Sequence, residues 1–322
     1  MKVLVTGAAG FLGSHLTASL LKRGDEVVAF DHRLRGKCLS EDELAGVQAV
    51  EADILDLPAV TRAAEGCAAI FHCAAVVGVE AYSSRPARTI ETEEVGLRNV
   101  CRAALASGKA KVIYASSSAV YGNAGGTALL REDDVVHPAS NYGTAKYFNE
   151  LFLAAQFLEA GLTSVALRIF NVYGPRQDDR LVIPRFIKSA LAGEPIVIFG
   201  DGRQTRDFVY VDDVVTAALA CADGVQGAEV VNVSSGHETS IATLAQTIIS
   251  LTGSGSVLVM REPPAGRSAF EVARCIGSRE KLERIIGASP ATPLEQGLRE
   301  TISAWVAKHS GAHKTEASGV VR

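Results

Sequence analysis

A glycine-rich turn near the start of the chain constrains the fold more than any other feature. The apolar run from Lys2 to Thr6 breaks into Gly-Ala-Ala-Gly-Phe-Leu-Gly over residues 7–13, and a helical pattern follows. Gly7 allows a sharp turn off the strand, Gly10 lets a pyrophosphate approach the backbone, and Gly13 lets the helix pack closely against the sheet. The helix N-terminus then presents N–H groups and the positive end of its dipole to the phosphates. The sequence therefore predicts a strand, a phosphate-binding turn and a helix.

An acidic residue after the next strand favours dinucleotide binding over an ordinary tight turn. Asp31 ends the second apolar strand and lies 18 positions after Gly13, close to the ~20 expected for the acid that binds the adenosine ribose. A carboxylate at this position would repel the 2′-phosphate of NADP, so Asp31 favours NAD. Arg33 and Arg35 follow closely and are the residues that could hold such a phosphate instead.

The overall composition is that of a globular protein. The 322 residues are 48% hydrophobic with a formal net charge of −4, which indicates a large α/β domain plus a smaller one and argues against a nucleic-acid or membrane surface. The first strand begins at residue 2 and no segment approaches ~18 consecutive apolar residues, so we expect a cytoplasmic protein. Six cysteines without a Cys-x-x-Cys pair predict reduced thiols, no disulfide and no metal.

Strands and helices alternate over the first half of the chain. Strands are predicted at 47–50, 69–72, 111–115 and 163–170, and helices at 86–107 and 142–160. This alternation predicts a doubly wound parallel sheet, the Rossmann arrangement, over residues 1–170.

Several side chains follow the predicted strand ends, where ligands bind in such sheets. Asp53 and Ile54 follow the third strand, where the adenine is expected. Ala74 belongs to a small-residue segment that lets a cofactor lie against the backbone. His72, just before it, is predicted to be packed at the strand end rather than catalytic.

The pattern changes beyond residue 170. Glycine and proline punctuate short, irregularly alternating strands and helices, which predicts a smaller C-terminal α/β substrate-binding lobe over 171–308. Some of its segments are expected to return to the sheet. The polar segment 309–322 is predicted to be a disordered tail.

A tyrosine and a lysine one helical turn apart suggest catalysis. Tyr142 and Lys146 are at i and i+4, on one face of a predicted helix. A phenol with a reference pKa of ~10 becomes a usable base near neutrality when a cation stabilises its phenolate. Many helices carry this pair by chance. Together with the glycine turn and the serine cluster at 116–118, which follows a strand end, it predicts a catalytic site.

With these motifs, the chain closely resembles the extended short-chain dehydrogenase/reductases, specifically the NAD-dependent epimerase/dehydratase family that includes UDP-glucose 4-epimerase. The resemblance covers about residues 1–305 and includes the Gly-x-x-Gly-x-x-Gly spacing of the turn. The segments that carry it are Thr6–Gly13, Ser116–Gly122, Asn141–Lys146, Arg168–Gln177 and Phe199–Asp213.

The resemblance implies a role for each matching residue. Tyr142 would take the proton of the sugar 4-hydroxyl while the C4 hydride passes to NAD⁺. Lys146 would lower the pKa of the phenol and hold the nicotinamide ribose, and Ser117 matches the catalytic Ser/Thr. Arginines suit the phosphate oxygens of a nucleotide diphosphate. For Arg206 the alternative is a salt bridge to a nearby carboxylate such as Asp207.

The predicted site contains two groups of residues besides the catalytic Ser117, Tyr142 and Lys146. The residues predicted to bind the cofactor are Gly7, Gly10, Phe11, Leu12, Gly13, Asp31, Asp53, Ile54, Ala74, Tyr142, Lys146 and Phe170. Those predicted to bind the substrate, a nucleotide sugar carrying UDP, are Ser117, Ser118, Asn171, Arg206 and Arg267.

The residues after Ser117 favour epimerisation. Dehydratases of the family follow the Ser/Thr with an acidic pair or a glutamate, and decarboxylases tend to carry that glutamate, whereas Ser118 and Ala119 stand here. Oxidation at C4 would then end in return of the hydride to the opposite face of a rotated 4-keto sugar. A decarboxylase or dehydratase, acting for instance on a uronic acid, is the alternative. A catalytically silent NAD-binding regulator is the alternative from another class.

Two further positions and the assembly state complete the comparison with the family. Glu93 falls where the family usually has an asparagine; we expect a solvated charge, the alternative being an inward-facing acid or base. Ala269 is small, near the position that limits sugar size, and would tolerate an N-acetyl group. A homodimer formed through the helices at 88–107 and 142–160 is implied by the resemblance.

Overall fold

The computed structural model describes residues 1–76, 86–123, 126, 128–263, 272–287 and 292–310. Its centre is a seven-stranded parallel sheet, which contains β1 (Lys2–Thr6), β2 (Glu26–Asp31), β3 (Gln48–Glu51), β4 (Ala69–His72), β5 (Lys111–Ser117), β6 (Ser164–Ile169) and β11 (Ala228–Val233). The strands lie in the order β3-β2-β1-β4-β5-β6-β11. The strand order reverses between β1 and β4, and a crevice forms beyond the carboxyl ends of strands at such a reversal.

Helices cover both faces of this sheet. Those of the first half are α1 (Phe11–Arg23), α2 (Glu41–Ala45), α3 (Leu57–Ala64), α4 (Pro86–Ala106) and α5 (Asn141–Ala160). The α5 helix begins where the Ser140 hydroxyl accepts a hydrogen bond from the Gly143 N–H at 3.1 Å, and it ends at Gly161, whose φ is 67°. The predicted doubly wound sheet is confirmed. Two short helices, α2 and α3, lie in stretches for which no helix was predicted.

Burial on both faces explains why the strands are almost continuously apolar. On β1, Val3 and Val5 point into a cluster with α1, whereas Leu4 points into a second cluster with α3, α4 and α5. Successive side chains of a strand alternate between faces, so a central parallel strand needs apolar residues at every position. The sheet thus separates two hydrophobic cores.

The second half of the chain forms a lobe at one end of the sheet. Its elements are β7 (Asn171–Tyr173), α6 (Val182–Leu191), β8 (Ile196–Phe199), β9 (Thr205–Arg206), β10 (Phe208–Tyr210), α7 (Val211–Gly224), β12 (Thr239–Ser240), α8 (Ile241–Thr252), β13 (Leu258–Arg261), β14 (Arg274–Cys275), α9 (Glu280–Ile286) and α10 (Leu294–Ser310). A third apolar cluster joins α6, β8, α8 and α10. Part of this half returns to the sheet: α7 and α9 pack against it, with Val214 and Leu282 in the same apolar cluster as α1, and β11 pairs with β6.

The C-terminal helix and the apolar lengths of the helices can be compared with the predictions of a tail from residue 309 and of no membrane span. The predicted tail begins too early, because His309 and Ser310 still belong to α10, and 311–322 lie outside the described residues. None of the helices in the described ranges is long and apolar enough to cross a membrane.

Candidate active site

The glycine turn connects β1 to α1 with almost no space around its backbone. Gly7 has a φ of +69°, and a Cβ there would lie 2.6 Å from the Ala74 nitrogen. A Cβ on Gly13 would lie 2.0 Å from the Gly7 carbonyl oxygen. Gly10 is the N-cap of α1 and brings no capping side chain, so the N–H groups at Phe11 and Leu12 suit an anion. This cradle fits a pyrophosphate.

Asp31 lies at the carboxyl end of β2 and beside this turn. Its carboxylate accepts a hydrogen bond from the Ala9 N–H at 3.1 Å and pairs with Lys37 at 2.9 Å. Arg35 instead pairs with Glu41 at the surface. A carboxylate therefore stands where an adenosine ribose would lie in such a fold, which fits NAD. Sequence reasoning missed Lys37, although it follows Asp31 by only six positions.

The remaining predicted cofactor residues lie at strand ends, and their side chains differ in surroundings. Asp53 is half exposed and pairs with Arg88 of α4 at 2.8 Å. Ile54 is buried and contacts the position of Gly96 on α4. The Ala74 N–H donates to the Thr6 hydroxyl at 3.4 Å. Since the Ile54 side chain is occupied by packing, a cofactor contact there would use its backbone.

Phe170 lies after β6, near the second lobe. Its ring is buried, packs against Tyr121 with ring centroids 6.2 Å apart, and fills the space beside Gly277. The Phe170 side chain therefore joins the sheet to the segment that carries β14.

His72 is packed at the end of β4, as predicted. Its Nδ1 and the Thr6 hydroxyl are 2.7 Å apart, and its ring stacks on Tyr114. Burial, helped by the nearby Lys146 ammonium, lowers the pKa of His72 to about 3. The imidazole is therefore neutral at physiological pH and does not act as a base near pH 7.

Tyr142 and Lys146 lie together on the first turns of α5, as their spacing predicts. The Lys146 Nζ is 5.6 Å from the centre of the Tyr142 ring and 4.7 Å from that of Tyr114. It donates a hydrogen bond to the Ala115 carbonyl of β5 at 2.8 Å. Only 2% of Lys146 is exposed. The ammonium is therefore held at the carboxyl end of the sheet, next to the phenol.

Glu93 is the partner of this ammonium, and the expectation of a solvated charge is wrong. Its exposed fraction is 0%, and its carboxylate lies 2.9 Å from Lys146 Nζ. It accepts a hydrogen bond from the Tyr114 hydroxyl at 3.1 Å. The sequence contained a signal: Glu93 is four positions before Leu97, which is also buried, so both belong to the inward face of α4.

Burial and the Glu93 charge together set the ionisation states of Lys146 and Tyr114. Burial by itself lowers the pKa of Lys146, but the Glu93 carboxylate outweighs that effect, and the pKa of Lys146 lies above its usual value. Burial, and then Glu93, raise the pKa of Tyr114 well above its usual value. Lys146 is therefore charged and Tyr114 neutral over the physiological range.

Ser117 lies at the end of β5, directly before a 3₁₀ turn over Ser118–Tyr121. Its hydroxyl accepts a hydrogen bond from the Ala119 N–H at 3.1 Å. A Cβ on Gly143 would lie 2.5 Å from the Ala119 carbonyl oxygen, so the 3₁₀ turn touches the first turn of α5. Ser117 and Tyr142 are thus brought to the same end of the sheet by elements in direct contact.

A buried network supports this arrangement from behind. The Ser116 hydroxyl donates to Glu150 of α5 at 2.5 Å, and Arg168 of β6 pairs with Glu150 at 2.8 Å. The Arg168 guanidinium also lies 4.8 Å from the centre of the Tyr121 ring. The network joins β5, β6, α5 and the 3₁₀ turn.

The predicted substrate residues Asn171 and Arg206 lie on strands of two different small sheets, because β7 pairs with β10 whereas β9 pairs with β12 and β14. The Asn171 side chain donates to the Asp207 carbonyl at 3.3 Å, and Arg206 donates to the Thr205 carbonyl at 2.8 Å. The Asp207 carboxylate accepts hydrogen bonds from the N–H groups of Ser235, Gly236 and Gly277 at 2.7, 3.0 and 3.2 Å. It therefore clamps three segments together, a role that sequence reasoning missed because those segments are far apart in the chain.

Two cavities lie beside these strands. One, of about 200 Å³, is lined by Asn171, Gln177 and Phe208 among others. The other, of about 370 Å³, is lined by Phe199, Arg203 and Gln204 among others. Arg267 and Ala269, which were predicted to contact the diphosphate and the sugar, lie outside the described residues.

Comparison with known proteins agrees with this geometry. The chain is 38% identical to the UDP-N-acetyl-alpha-D-glucosaminuronate decarboxylase of Bacillus cytotoxicus over 312 residues, covering 94% of this chain and 96% of that protein. The structure of UDP-glucose 4-epimerase from Thermotoga maritima with UDP-glucose superposes with a TM-score of 0.89 at 32% identity, covering 96% of this chain and 100% of that one. UDP-glucose 4-epimerase from Thermus thermophilus, in complex with NAD, has a TM-score of 0.85 at 29% identity, with coverages of 95% and 99%.

The model of one family also matches most of the chain. It spans residues 3–234 and is described as the NAD dependent epimerase/dehydratase family. The cofactor of this family is NAD, and the cradle of Gly7, Gly13 and Asp31 fits that cofactor. With the glycine turn, the Tyr142–Lys146 pair and the sheet topology, the chain belongs to the NAD-dependent epimerase/dehydratase family and is an enzyme of nucleotide-sugar metabolism.

Proposed function

We propose that this enzyme is a nucleotide-sugar 4-epimerase that acts on a UDP-hexose or a UDP-N-acetylhexosamine through a transient 4-keto sugar. The observation that carries the proposal is the combination of a complete set of C4 oxidation residues with Ser118 and Ala119 after Ser117. An elimination or a dedicated proton transfer at C5 would need an acid or base at those two positions. Epimerisation at C4 needs none.

Each catalytic side chain has a role that its surroundings support. Bound NAD⁺ supplies the hydride acceptor for C4 of the sugar. Tyr142 takes the proton of the 4-hydroxyl, and the adjacent Lys146 ammonium stabilises the phenolate. Ser117 donates a hydrogen bond to the same sugar oxygen and stabilises the charge that develops there. Lys146 is fixed by Ala115 and Glu93, so it meets the cofactor without reorganisation.

The substrate would lie between the sheet and the second lobe. Arg206 and Asn171 are proposed to bind the diphosphate, and Arg267 to add a second guanidinium, because arginine matches phosphate oxygens in geometry and charge. The relatives that act on or bind UDP-sugars support uridine as the base.

The test is incubation of the purified protein, with NAD⁺, against UDP-glucose, UDP-N-acetylglucosamine and UDP-glucuronic acid. Products are followed by NMR and mass spectrometry. Unchanged mass with inverted configuration at C4 is the expected result. The Tyr142→Phe variant is the matched control, because it keeps the ring and removes the proton acceptor. If neither the wild type nor this variant turned over any of the sugars while both bound NAD⁺, the protein would be a catalytically silent NAD-binding protein. Equal turnover by the two proteins would show that Tyr142 is not the base.

Decarboxylation of a UDP-uronic acid is the second candidate, favoured by the 38% identity to a decarboxylase over nearly the whole chain. Oxidation at C4 of a sugar with a C6 carboxylate produces a β-keto acid; loss of CO₂ leaves an enolate, which takes a proton at C5 from solvent before the hydride returns to C4. The substrate would then decide the outcome. A product lighter by CO₂ from the uronic acid, with no inversion of the neutral sugars, identifies this activity and excludes the first.

We also propose that the enzyme is a homodimer that pairs through α4 and α5. Helix α5 exposes large apolar side chains, with Leu158 83%, Leu151 54% and Phe148 45% exposed. Such a row on one helix is typical of an interface. The double variant Leu151→Glu/Leu158→Glu is expected to elute as a monomer in light-scattering chromatography, while the wild type elutes as a dimer. A monomeric wild type would reject the proposal.

A further inference from the structure

Glu93 is a fully buried carboxylate to which the proposed reaction gives no task. It lies on the inward face of α4 with 0% exposure. A buried carboxylate is unfavourable unless a charge or several hydrogen bonds compensate it. Lys146 supplies the charge at 2.9 Å, and the Tyr114 hydroxyl supplies a hydrogen bond at 3.1 Å. Glu93 and Lys146 therefore stabilise each other.

The contacts of Glu93 place it next to the lysine of the catalytic pair. Asn149, on α5, donates to both the backbone carbonyl of Glu93 and the hydroxyl of Tyr114, at 3.1 and 2.9 Å. These bonds fix α4 against β5 and α5. Glu93 therefore has a fixed position relative to Lys146, and it acts on Tyr142 through that ammonium.

A phenolate beside a cation forms at a lower pH than one in water, and a carboxylate near the same cation reduces this benefit. In this chain the Tyr142 phenol meets an ammonium whose charge is partly offset.

We propose that Glu93 is a positioning residue that holds the Lys146 ammonium in place beside Tyr142 and thereby sets the pH range of catalysis. This inference rests on the proposed role of Tyr142 as the base. The acidic limb of the pH–rate profile then reports loss of the Tyr142 proton, and the alkaline limb reports loss of the Lys146 proton. The raised pKa of Lys146 agrees with an alkaline limb at high pH.

The other titratable groups around this centre do not titrate near neutral pH. From β4 and the segment after it, His72 has its pKa lowered to about 3 and Cys73 has its pKa raised to about 12. Burial and Glu93 raise the pKa of Tyr114, on β5. Lys146 of α5 is therefore a fixed positive charge beside Tyr142, and Glu93 of α4 is the carboxylate paired with that ammonium.

The experiment compares Glu93→Gln, which removes the charge, with Glu93→Asp, which keeps it. Rates are measured from acid to alkaline pH on the NAD-loaded enzyme. The absorbance of tyrosinate is titrated on the same proteins without substrate, with each spectrum corrected by the matching variant that also carries Tyr142→Phe. In Glu93→Gln, both limbs of the rate profile and the absorbance midpoint are expected to move to lower pH by about one unit. Glu93→Asp is expected to stay near the wild-type values.

Unmoved limbs and an unmoved midpoint in Glu93→Gln, with a rate reduced equally at every pH, would show a merely structural role and overturn the proposal. If Glu93→Gln does not fold, Glu93→Asn takes its place with the same expected shifts. The absorbance titration needs no turnover. If none of the sugars reacts, the proposed function fails while the effect of Glu93 on Tyr142 is still measured.

Discussion

Helix α5 carries two buried ion pairs one turn apart, and their contacts differ. Lys146 meets Glu93 at a single close contact of 2.9 Å, with the two side chains 3% and 0% exposed. Glu150 meets Arg168 through two guanidinium nitrogens, at 3.1 and 2.8 Å, with the side chains 2% and 5% exposed. Arg168 also donates to the Glu132 carbonyl at 3.2 Å. Arg168 thus binds Glu150 through two donor nitrogens, whereas Lys146 binds Glu93 through a single nitrogen.

The difference separates a structural pair from an adjustable one. A guanidinium stays protonated at any pH that a protein survives and matches a carboxylate bidentately, so Arg168 anchors β6 to α5. An ammonium titrates, and it carries three donors on one small group. Lys146 can therefore hold Glu93 and Ala115 and still offer a proton donor towards a cofactor hydroxyl.

Removing the Lys146 ammonium should reduce the rate of catalysis more than the stability of the fold. In Lys146→Met we expect a loss of about 10²–10⁴-fold in kcat, because the Tyr142 phenolate loses its cation. The fold should lose less stability than when the second pair is broken, since Glu93 keeps the hydrogen bond from the Tyr114 hydroxyl. Steady-state kinetics and circular dichroism measure the two effects. A stable fold with nearly wild-type kcat would contradict the distinction between the two pairs.

Breaking the Glu150–Arg168 pair should reduce the stability of the fold more than the rate of catalysis. Glu150→Gln leaves Arg168 buried without its carboxylate, and a guanidinium cannot neutralise itself by losing a proton. We expect the free energy of unfolding to fall by about 3–5 kcal/mol in urea titrations. Glu159→Gln, at an exposed position of the same helix, is the control and should change it by less than about 0.5 kcal/mol. Equal effects in the two variants would mean that the Arg168 pair is not an anchor.

Acidic pH should lower the free energy of unfolding because His72 is buried in its neutral form. The pKa of His72 is about 3 in the folded protein and ~6.5 in an unfolded chain. Below pH ~6.5 the unfolded state therefore binds a proton at this residue and the folded state does not. The free energy of unfolding therefore falls as the pH decreases from ~6.5 towards about 3. The slope contributed by this group approaches about 1.4 kcal/mol per pH unit. Thermal unfolding of wild type and His72→Gln measures it as the difference in slope between the two proteins. Parallel pH dependences would refute the assignment.

An exposed pair should contribute least. Asp53 and Arg88 are 2.8 Å apart with side chains 49% and 56% exposed, and such pairs contribute less than about 1 kcal/mol. Asp53→Asn should therefore leave the free energy of unfolding almost unchanged. The affinity for NAD⁺, measured by calorimetry, should fall a few-fold if Asp53 meets the adenine as predicted. Unchanged affinity would remove Asp53 from the cofactor site.

The sequence predicted the parts of this molecule that depend on local chemistry. The glycine turn, Asp31 and the Tyr142–Lys146 spacing follow from backbone sterics and helical periodicity, which operate over a few residues. The doubly wound parallel sheet follows from the alternation of strands and helices along the first half of the chain.

The parts that could not be predicted depend on contacts between distant segments. The spacing of Glu93 from the buried Leu97 indicated an inward face, but its contact with Lys146 could not be predicted because that contact joins α4 to α5. The Asp207 clamp requires three segments that only the tertiary fold brings together. Helix α10 continues past the predicted start of the tail at residue 309, where His309 stacks on Trp305 and its Nδ1 lies 2.8 Å from the Trp305 carbonyl oxygen.

The position of β11 at the edge of the sheet affects the order of events during synthesis. The strand β6 has one neighbour in β5 and obtains its other neighbour only when β11 has left the ribosome. At about 5–20 residues per second, the roughly 60 residues between Ile169 and Ala228 take several seconds to translate. During that interval the nascent chain carries an open, apolar strand edge, which is a template for pairing with another chain. Chaperone binding to nascent chains of this enzyme should therefore be strongest before β11 emerges.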